Sequence, residues 1–176
     1  PAPLRDALKK AVTGAIDATV KALASGQMPD LGSIVKGALK TVAEGALRAA
    51  NELVAKGIGS LKGADFVQGN PILEGLVARG EERINAAMQR ALRAVQTFGE
   101  EAAATPEFNA LQQSDPAATQ GVLEAAGAPA LDDVAAMELP AGSGPLGEHV
   151  REAMAVIAGD GLRAACAVVA TGGMAP

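Results

Sequence analysis

The residues best suited to acid–base chemistry surround the one histidine of the sequence, His149. Glu148 precedes it and Glu152 follows it by three residues, so a carboxylate on the same helical turn could orient the imidazole as a general base. The one cysteine, Cys166, lies 17 residues further along the chain. An unbroken helix rises about 1.5 Å per residue and would separate these two side chains by about 25 Å. A Cys–His dyad therefore requires a broken helix, and the Ala and Val neighbours of Cys166 favour a small buried hydrophobe instead.

Three glycines, Gly142, Gly144 and Gly147, have the G-x-G-x-x-G spacing of loops that hold a phosphate at a helix N-terminus. Such a loop must follow a β-strand, yet the segment before it, residues 134–139, is short and acidic. Pro145 also removes one backbone donor. The spacing is therefore more typical of a flexible linker than of a phosphate loop.

Carboxylates occur as adjacent pairs, which is the wrong spacing for paired acid and base catalysis. Neighbouring side chains on a helix point about 100° apart, so such pairs do not face one cleft. One histidine and one cysteine also leave no zinc cluster. We therefore predict no catalytic residues, no metal site and no cofactor, and assign the paired acids to solvated faces. The pairs are Glu81-Glu82, Glu100-Glu101 and Asp132-Asp133.

The elements that would position these residues are predicted to be helices. The chain is rich in Ala, contains no Trp or Tyr and has three Phe, so strand-forming residues are scarce. Apolar residues recur every three or four positions over residues 4–25, 31–56 and 71–98, which predicts three long amphipathic helices within residues 1–98. The third is predicted to begin at Asn70-Pro71.

Proline and glycine punctuate the next part of the chain, an acidic segment between residues 99 and 147. Thr105-Pro106 and Asp115-Pro116 each predict a capped short helix, whereas residues 140–145 predict a linker. A last helix is expected over residues 148–171. The sequence as a whole thus predicts an all-α protein: a compact bundle of about five to six helices forming a single helical domain over residues 1–176.

Charge is distributed unevenly along the chain. Residues 1–62 hold seven Lys and two Arg against five acids, a net charge of +4, while residues 63–176 hold six Arg against fifteen acids, a net charge of −9. The overall pI near 4.9 and the shortage of aromatic residues disfavour nucleic acid as a partner. The basic N-terminal helices leave an anionic membrane surface as an alternative partner.

The second predicted helix carries a strip of small residues every four positions, flanked by basic residues. Such a strip lets another helix approach closely, either within the bundle or from a partner. We take it as the candidate interaction face, made of Lys36, Gly37, Lys40, Thr41, Gly45 and Arg48.

Three hypotheses for function follow from these patterns. The first is a non-catalytic helical module that binds another protein. The second is a membrane-active or lipid-surface-binding protein that uses the basic N-terminal helices, and the third is an enzyme built around His149. In composition, the Ala- and Gly-rich amphipathic helices resemble those of bacterial secreted effectors and translocators, which implies a soluble protein secreted from a bacterium.

Overall fold

The computed structural model describes residues 31–103 and 105–171, with side chains described from Val42 onward except at Ala103. These residues form an all-α fold without a β-strand, which confirms the predicted fold class. The predicted helix over residues 4–25 lies outside the described residues. The helices are α1 (Leu31–Lys62), α2 (Pro71–Ala103), α3 (Pro106–Ser114), α4 (Pro116–Gly127), the single turn α5 (Asp132–Ala135) and α6 (Gly144–Ala170). A 3-10 helix, Ala128–Leu131, joins α4 to α5.

Three helices begin at the polar residue followed by proline that the sequence predicts. The Asn70 side-chain oxygen accepts hydrogen bonds from the backbone N–H groups of Ile72 and Leu73, at 3.2 and 3.3 Å. Thr105 Oγ1 accepts from Phe108 N, and Asp115 accepts from Ala118 N. Each cap satisfies backbone donors that the first helical turn leaves without partners, and the following proline has no such donor to lose.

The last helix, α6, packs against α1, α2, α4 and α5, and most closely against α1. The two run antiparallel, because Gly45 of α1 lies beside Val168 near one end and Gly57 lies beside Ile157 nearer the other. A Cβ at Gly57 would stand 2.8 Å from Ile157 Cγ1, closer than any real contact. Glycine therefore allows the two backbones to approach closely at this position.

A contiguous cluster of buried side chains joins α1, α2, α4, α5 and α6. Its largest members are Leu73, Ile84, Met88, Leu123 and Met154, all at most 1% exposed. The α3 helix joins a separate small cluster instead, in which Phe108 packs edge-to-face on Phe98 with ring centroids 6.4 Å apart. The main core thus depends on α6, while α3 is attached at its margin.

Element boundaries differ from the predictions at three places. The first described helix continues past Gly57 to Lys62, because Ile58 and Leu61 extend its buried face. The next helix continues past residue 98 to Ala103, where Ala102 is buried. The expected linker over residues 140–145 is a short turn, and α6 begins at Gly144 rather than at residue 148. Gly142 and Gly144 have positive φ angles of 86° and 60°, which glycine adopts without strain.

Among the described residues, α6 is the one helix whose length and apolar composition match those of a membrane-crossing helix. In this fold the same residues form the central helix of a bundle. Core helices and membrane-spanning helices share these properties, so α6 alone does not distinguish the two.

Candidate functional site

His149 lies exposed on the first turns of α6. Its ring contacts Phe66 edge-to-face, with the ring centroids 5.5 Å apart. Glu148 and Glu152 are exposed as well. The three side chains therefore lie on a solvated surface, whereas the enzyme hypothesis expects them in a concave pocket.

Cys166 is remote from His149 because α6 runs unbroken between them. The thiol is fully buried. Burial, with a smaller contribution from the charge of Glu124, raises its pKa from 9.0 to about 12. A thiol with so high a pKa is protonated at neutral pH and a poor nucleophile. The structure thus rules out the Cys–His dyad and supports the buried, hydrophobic role for Cys166.

The glycine-rich segment does not form a phosphate loop. No strand precedes it in the described residues, and Gly147 is buried beneath Ser143 and Leu139. The strand-to-helix geometry that aims backbone N–H groups at a phosphate is therefore missing.

Two members of the paired acids form ion pairs between helices. Glu81 of α2 pairs with Lys62 at the end of α1 at 3.0 Å, and Asp133 of α5 pairs with Arg90 of α2. The side chains of both pairs are largely exposed, so they fix helix positions more than they stabilise the fold. In the described parts of the chain, no group of three or more His, Cys, Asp or Glu residues is placed to bind a metal ion.

The predicted interaction face lies only partly within the described side chains. Arg48 is exposed, whereas Gly45 is half-buried and lies 3.8 Å from Val168 of α6, measured from an added Cβ. At Gly45 the small residue thus serves packing inside the bundle. The side chains of Lys36, Gly37, Lys40 and Thr41 lie outside the described residues, and the face they form with Arg48 stays a prediction.

The described residues form an elongated concave surface between α1 and α2, which we call the α1–α2 groove. The two helices run antiparallel, with Lys62 against Glu81 at one end and Leu47 beside Gln96 at the other. Between residues 43 and 62 the groove extends for about 28 Å, at about 1.5 Å per residue. Gln89 lines both of its halves, which therefore adjoin at this residue.

The two halves of the α1–α2 groove differ in chemistry. The half near Leu47 encloses about 360 Å³ and has an apolar floor. The half near Lys62 encloses about 500 Å³ and carries more polar groups, among them Asn51 and Asn85. The apolar floor is formed by Ala43, Ala46, Leu47, Leu92, Val95 and Val169, and the rim by Glu44, Gln89, Arg93 and Gln96.

The α1–α2 groove was not predicted from the sequence. The stripes that line it, such as Ala43-Leu47 and Leu92-Val95, are the edges of the same apolar stripes that form the core. Periodicity identifies a buried face but not where two helices diverge enough to leave a groove. Leu47 marks the groove only in the structure, where this member of the apolar stripe is 36% exposed.

Comparison of the chain with protein-family models, curated proteins and solved structures finds no match.

Proposed function

We propose that this protein is a non-catalytic helical module that binds an amphipathic helix of a partner protein in the α1–α2 groove. The single observation that supports this proposal is the apolar half of the groove, which lies between two antiparallel helices and is left unfilled by the described residues. Grooves of this shape receive the apolar face of a helix through residues spaced three, four and seven apart.

The rim defines the chemistry of that partner helix. Glu44 lies on the α1 side of the apolar half, and Arg93 lies on the α2 side. A complementary helix carries basic residues along one flank of its apolar stripe and acidic residues along the other. Opposite charges at the rim set orientation and association rate more than affinity.

The test uses a synthetic 18-residue peptide with Leu at helical spacing, Lys on one flank and Glu on the other. A peptide of the same composition in scrambled order is the negative probe. Fluorescence anisotropy of the labelled peptide measures binding to the full chain and to Leu47→Glu. Because a buried Leu contributes about 1.5–3 kcal/mol, Leu47→Glu should weaken binding about tenfold or more.

Leu53→Glu is the matched control, since Leu53 is an equally large residue of α1, is 41% exposed and does not line the groove. Its affinity for the peptide should stay within about twofold of the unmodified chain. Equal weakening by both substitutions, or equal binding of the scrambled peptide, would contradict the proposal.

A lipid-surface role is the second candidate, and it is favoured by the length and apolar composition of α6. In this alternative the bundle opens and α6 enters an anionic membrane, helped by the basic residues 1–62. Co-sedimentation with phosphatidylserine vesicles distinguishes the two: salt-sensitive pelleting with anionic vesicles alone supports the membrane role. A secreted bacterial effector is the setting we propose for either role, on the resemblance in composition alone.

A further inference from the structure

A stripe of arginines runs along the outer face of α2. Arg79, Arg83, Arg90 and Arg93 follow one another at spacings of four, seven and three residues. At about 100° per residue, all four point within an arc of about 80°. Ala86 occupies the gap in the same stripe. In a chain with a net charge of −5, this stripe is a local concentration of positive charge.

Three of these arginines line a cleft between α2 and α5, which we call the arginine cleft. It encloses about 900 Å³ and is lined by Arg79, Arg83 and Arg90 on one side and by Ala136 and Met137 on the other. Arg90 bridges the cleft to Asp133. Arg151 of α6 donates to the Met137 carbonyl oxygen at 3.3 Å and so holds the far wall in place. The cleft is therefore bridged by one ion pair, and its far wall is linked to α6 by one hydrogen bond.

Two of the arginines have no ion-pair partner among the described residues. Arg79 and Arg83 are exposed, and neither forms a salt bridge or side-chain hydrogen bond with any of the described residues. The field of the stripe still acts on Asp133, whose pKa is lowered by the hydrogen bond and charge of Arg90 and further by the charge of Arg83. The guanidinium groups of Arg79 and Arg83 thus line the cleft without an ion pair among the described residues, although Glu82, Asp133 and Glu138 line it as well.

We propose that the arginine cleft binds an acidic helical segment of a partner protein, with Arg79 and Arg83 each pairing with a carboxylate. Residues four apart on a helix lie about 6 Å apart, so Glu residues at positions i and i+4 of the partner match this arginine spacing. The planar guanidinium forms two parallel hydrogen bonds with a carboxylate, which lysine cannot do. This surface is separate from the α1–α2 groove, and the proposal does not rest on the proposed function.

The surroundings of the cleft favour a short acidic segment over a polyanion. Glu82 and Glu138 line the same cleft as the arginines. These carboxylates repel a continuous row of phosphates, whereas a helix with two well-placed carboxylates avoids them. A flat bilayer also cannot follow the concave wall that Met137 forms.

The experiment measures anisotropy of a fluorescein-labelled, Ala-rich 15-residue peptide with Glu at every fourth position. The second probe has the same composition, with its Glu residues adjacent to one another. The full chain should bind the first peptide saturably and more tightly than the second. Arg79→Gln/Arg83→Gln should weaken that binding about tenfold or more, since charge-assisted pairs are lost.

Lys56→Gln/Arg163→Gln is the matched control, because it removes the same charge from exposed positions outside the cleft and outside the candidate interaction face. Its affinity should change less than about twofold. Arg79→Lys/Arg83→Lys keeps the charge but loses the planar fork, and its affinity should be intermediate. Circular dichroism confirms that each variant is folded.

If the Gln variants of the cleft and of the control lost affinity for the acidic peptide equally, the proposal would be overturned. Such a result would show that the peptide responds to the overall charge of the protein and not to the cleft. Saturable binding of double-stranded DNA or of phosphatidylserine vesicles in place of the peptide would also overturn it. Leu47→Glu should leave binding of the acidic peptide unchanged, so failure at this cleft and failure at the α1–α2 groove are distinguishable.

Discussion

Cys166 illustrates how its position in the core determines the chemistry of a side chain. Cys166 lies on α6 in the main core of the protein, and burial raises the pKa of its thiol to about 12. A thiol reagent such as Ellman's reagent should therefore leave the folded protein unmodified at pH 8 and modify one thiol per chain in urea. Rapid labelling of the folded protein would contradict this assignment.

The same thiol should make stability depend on pH at the alkaline end. The folded state keeps the proton up to a pKa of about 12, whereas the unfolded thiol loses it near its ordinary value of 9.0. The folded state then binds more protons than the unfolded state, so the free energy of unfolding falls as pH rises above 9. Between pH 9 and 10 the loss should be about 1 kcal/mol, because the unfolded thiol is only half ionised at pH 9. Urea unfolding of Cys166→Ala over this range should lack that contribution.

Gly80 is the glycine of α2 with the tightest surroundings. A Cβ there would overlap the Met154 sulfur of α6. Gly80→Ala should therefore lower the free energy of unfolding by about 1–3 kcal/mol, because α2 and α6 must move apart or Met154 must leave its rotamer. Thermal or urea unfolding measures the change.

Gly75→Ala is the control for that substitution, on the same helix. Nothing lies within 4 Å of a Cβ at Gly75. Alanine is the better helix former there and should stabilise the protein by about 0.5–1 kcal/mol. If both substitutions had the same sign, the packing interpretation of Gly80 would be wrong.

At the scale of elements, Thr105 joins two helices through one hydroxyl. Its Oγ1 donates to the Ala102 carbonyl at the end of α2 and accepts from Phe108 N at the start of α3. The side chain is fully buried. Thr105→Val keeps the shape but leaves Phe108 N without its partner, while the Ala102 carbonyl keeps only the backbone N–H of residue 105, and the change should cost about 1–3 kcal/mol. Thr105→Ser retains the hydroxyl and should cost less, as urea unfolding would show.

The start signals of α2, α3 and α4 were predictable because each depends on two adjacent residues, such as Asn70-Pro71. The start of α6 was not, because the Pro- and Gly-rich residues 140–145 have the composition of a linker, although Pro145 lies in the first turn of the helix. Both candidate surfaces, the α1–α2 groove and the arginine cleft, depend on how two neighbouring elements are placed relative to each other. Arg79 and Arg83 are visible as a stripe, but the α5 wall opposite them is not.

At the scale of the whole molecule, stability is unevenly distributed between α6 and α3. Amide hydrogen exchange reports such differences, because amides in the main core exchange only when the whole molecule unfolds, whereas others exchange through local unfolding. Amides of Met154–Leu162 should exchange most slowly and those of α3 much faster, since Phe108 anchors α3 outside the main core. Hydrogen–deuterium exchange with mass spectrometry measures both rates.

Phe108→Ala tests the independence of α3 in the same measurement. It removes the contact with Phe98, so α3 should lose protection while α6 keeps most of its own. Equal loss of protection in α3 and α6 would show that the bundle opens as one unit.

The position of α6 in chain order also affects synthesis of the protein. The helix that completes the main core is made after α1 and α2, with residues 104–143 in between. At about 5–20 residues per second, a ribosome needs several seconds to travel from the end of α2 to the end of α6. During that interval the apolar faces of the nascent hairpin, among them Val54 and Met88, have no α6 to cover them. A chaperone that shields this hairpin as it emerges would therefore raise the yield of folded protein.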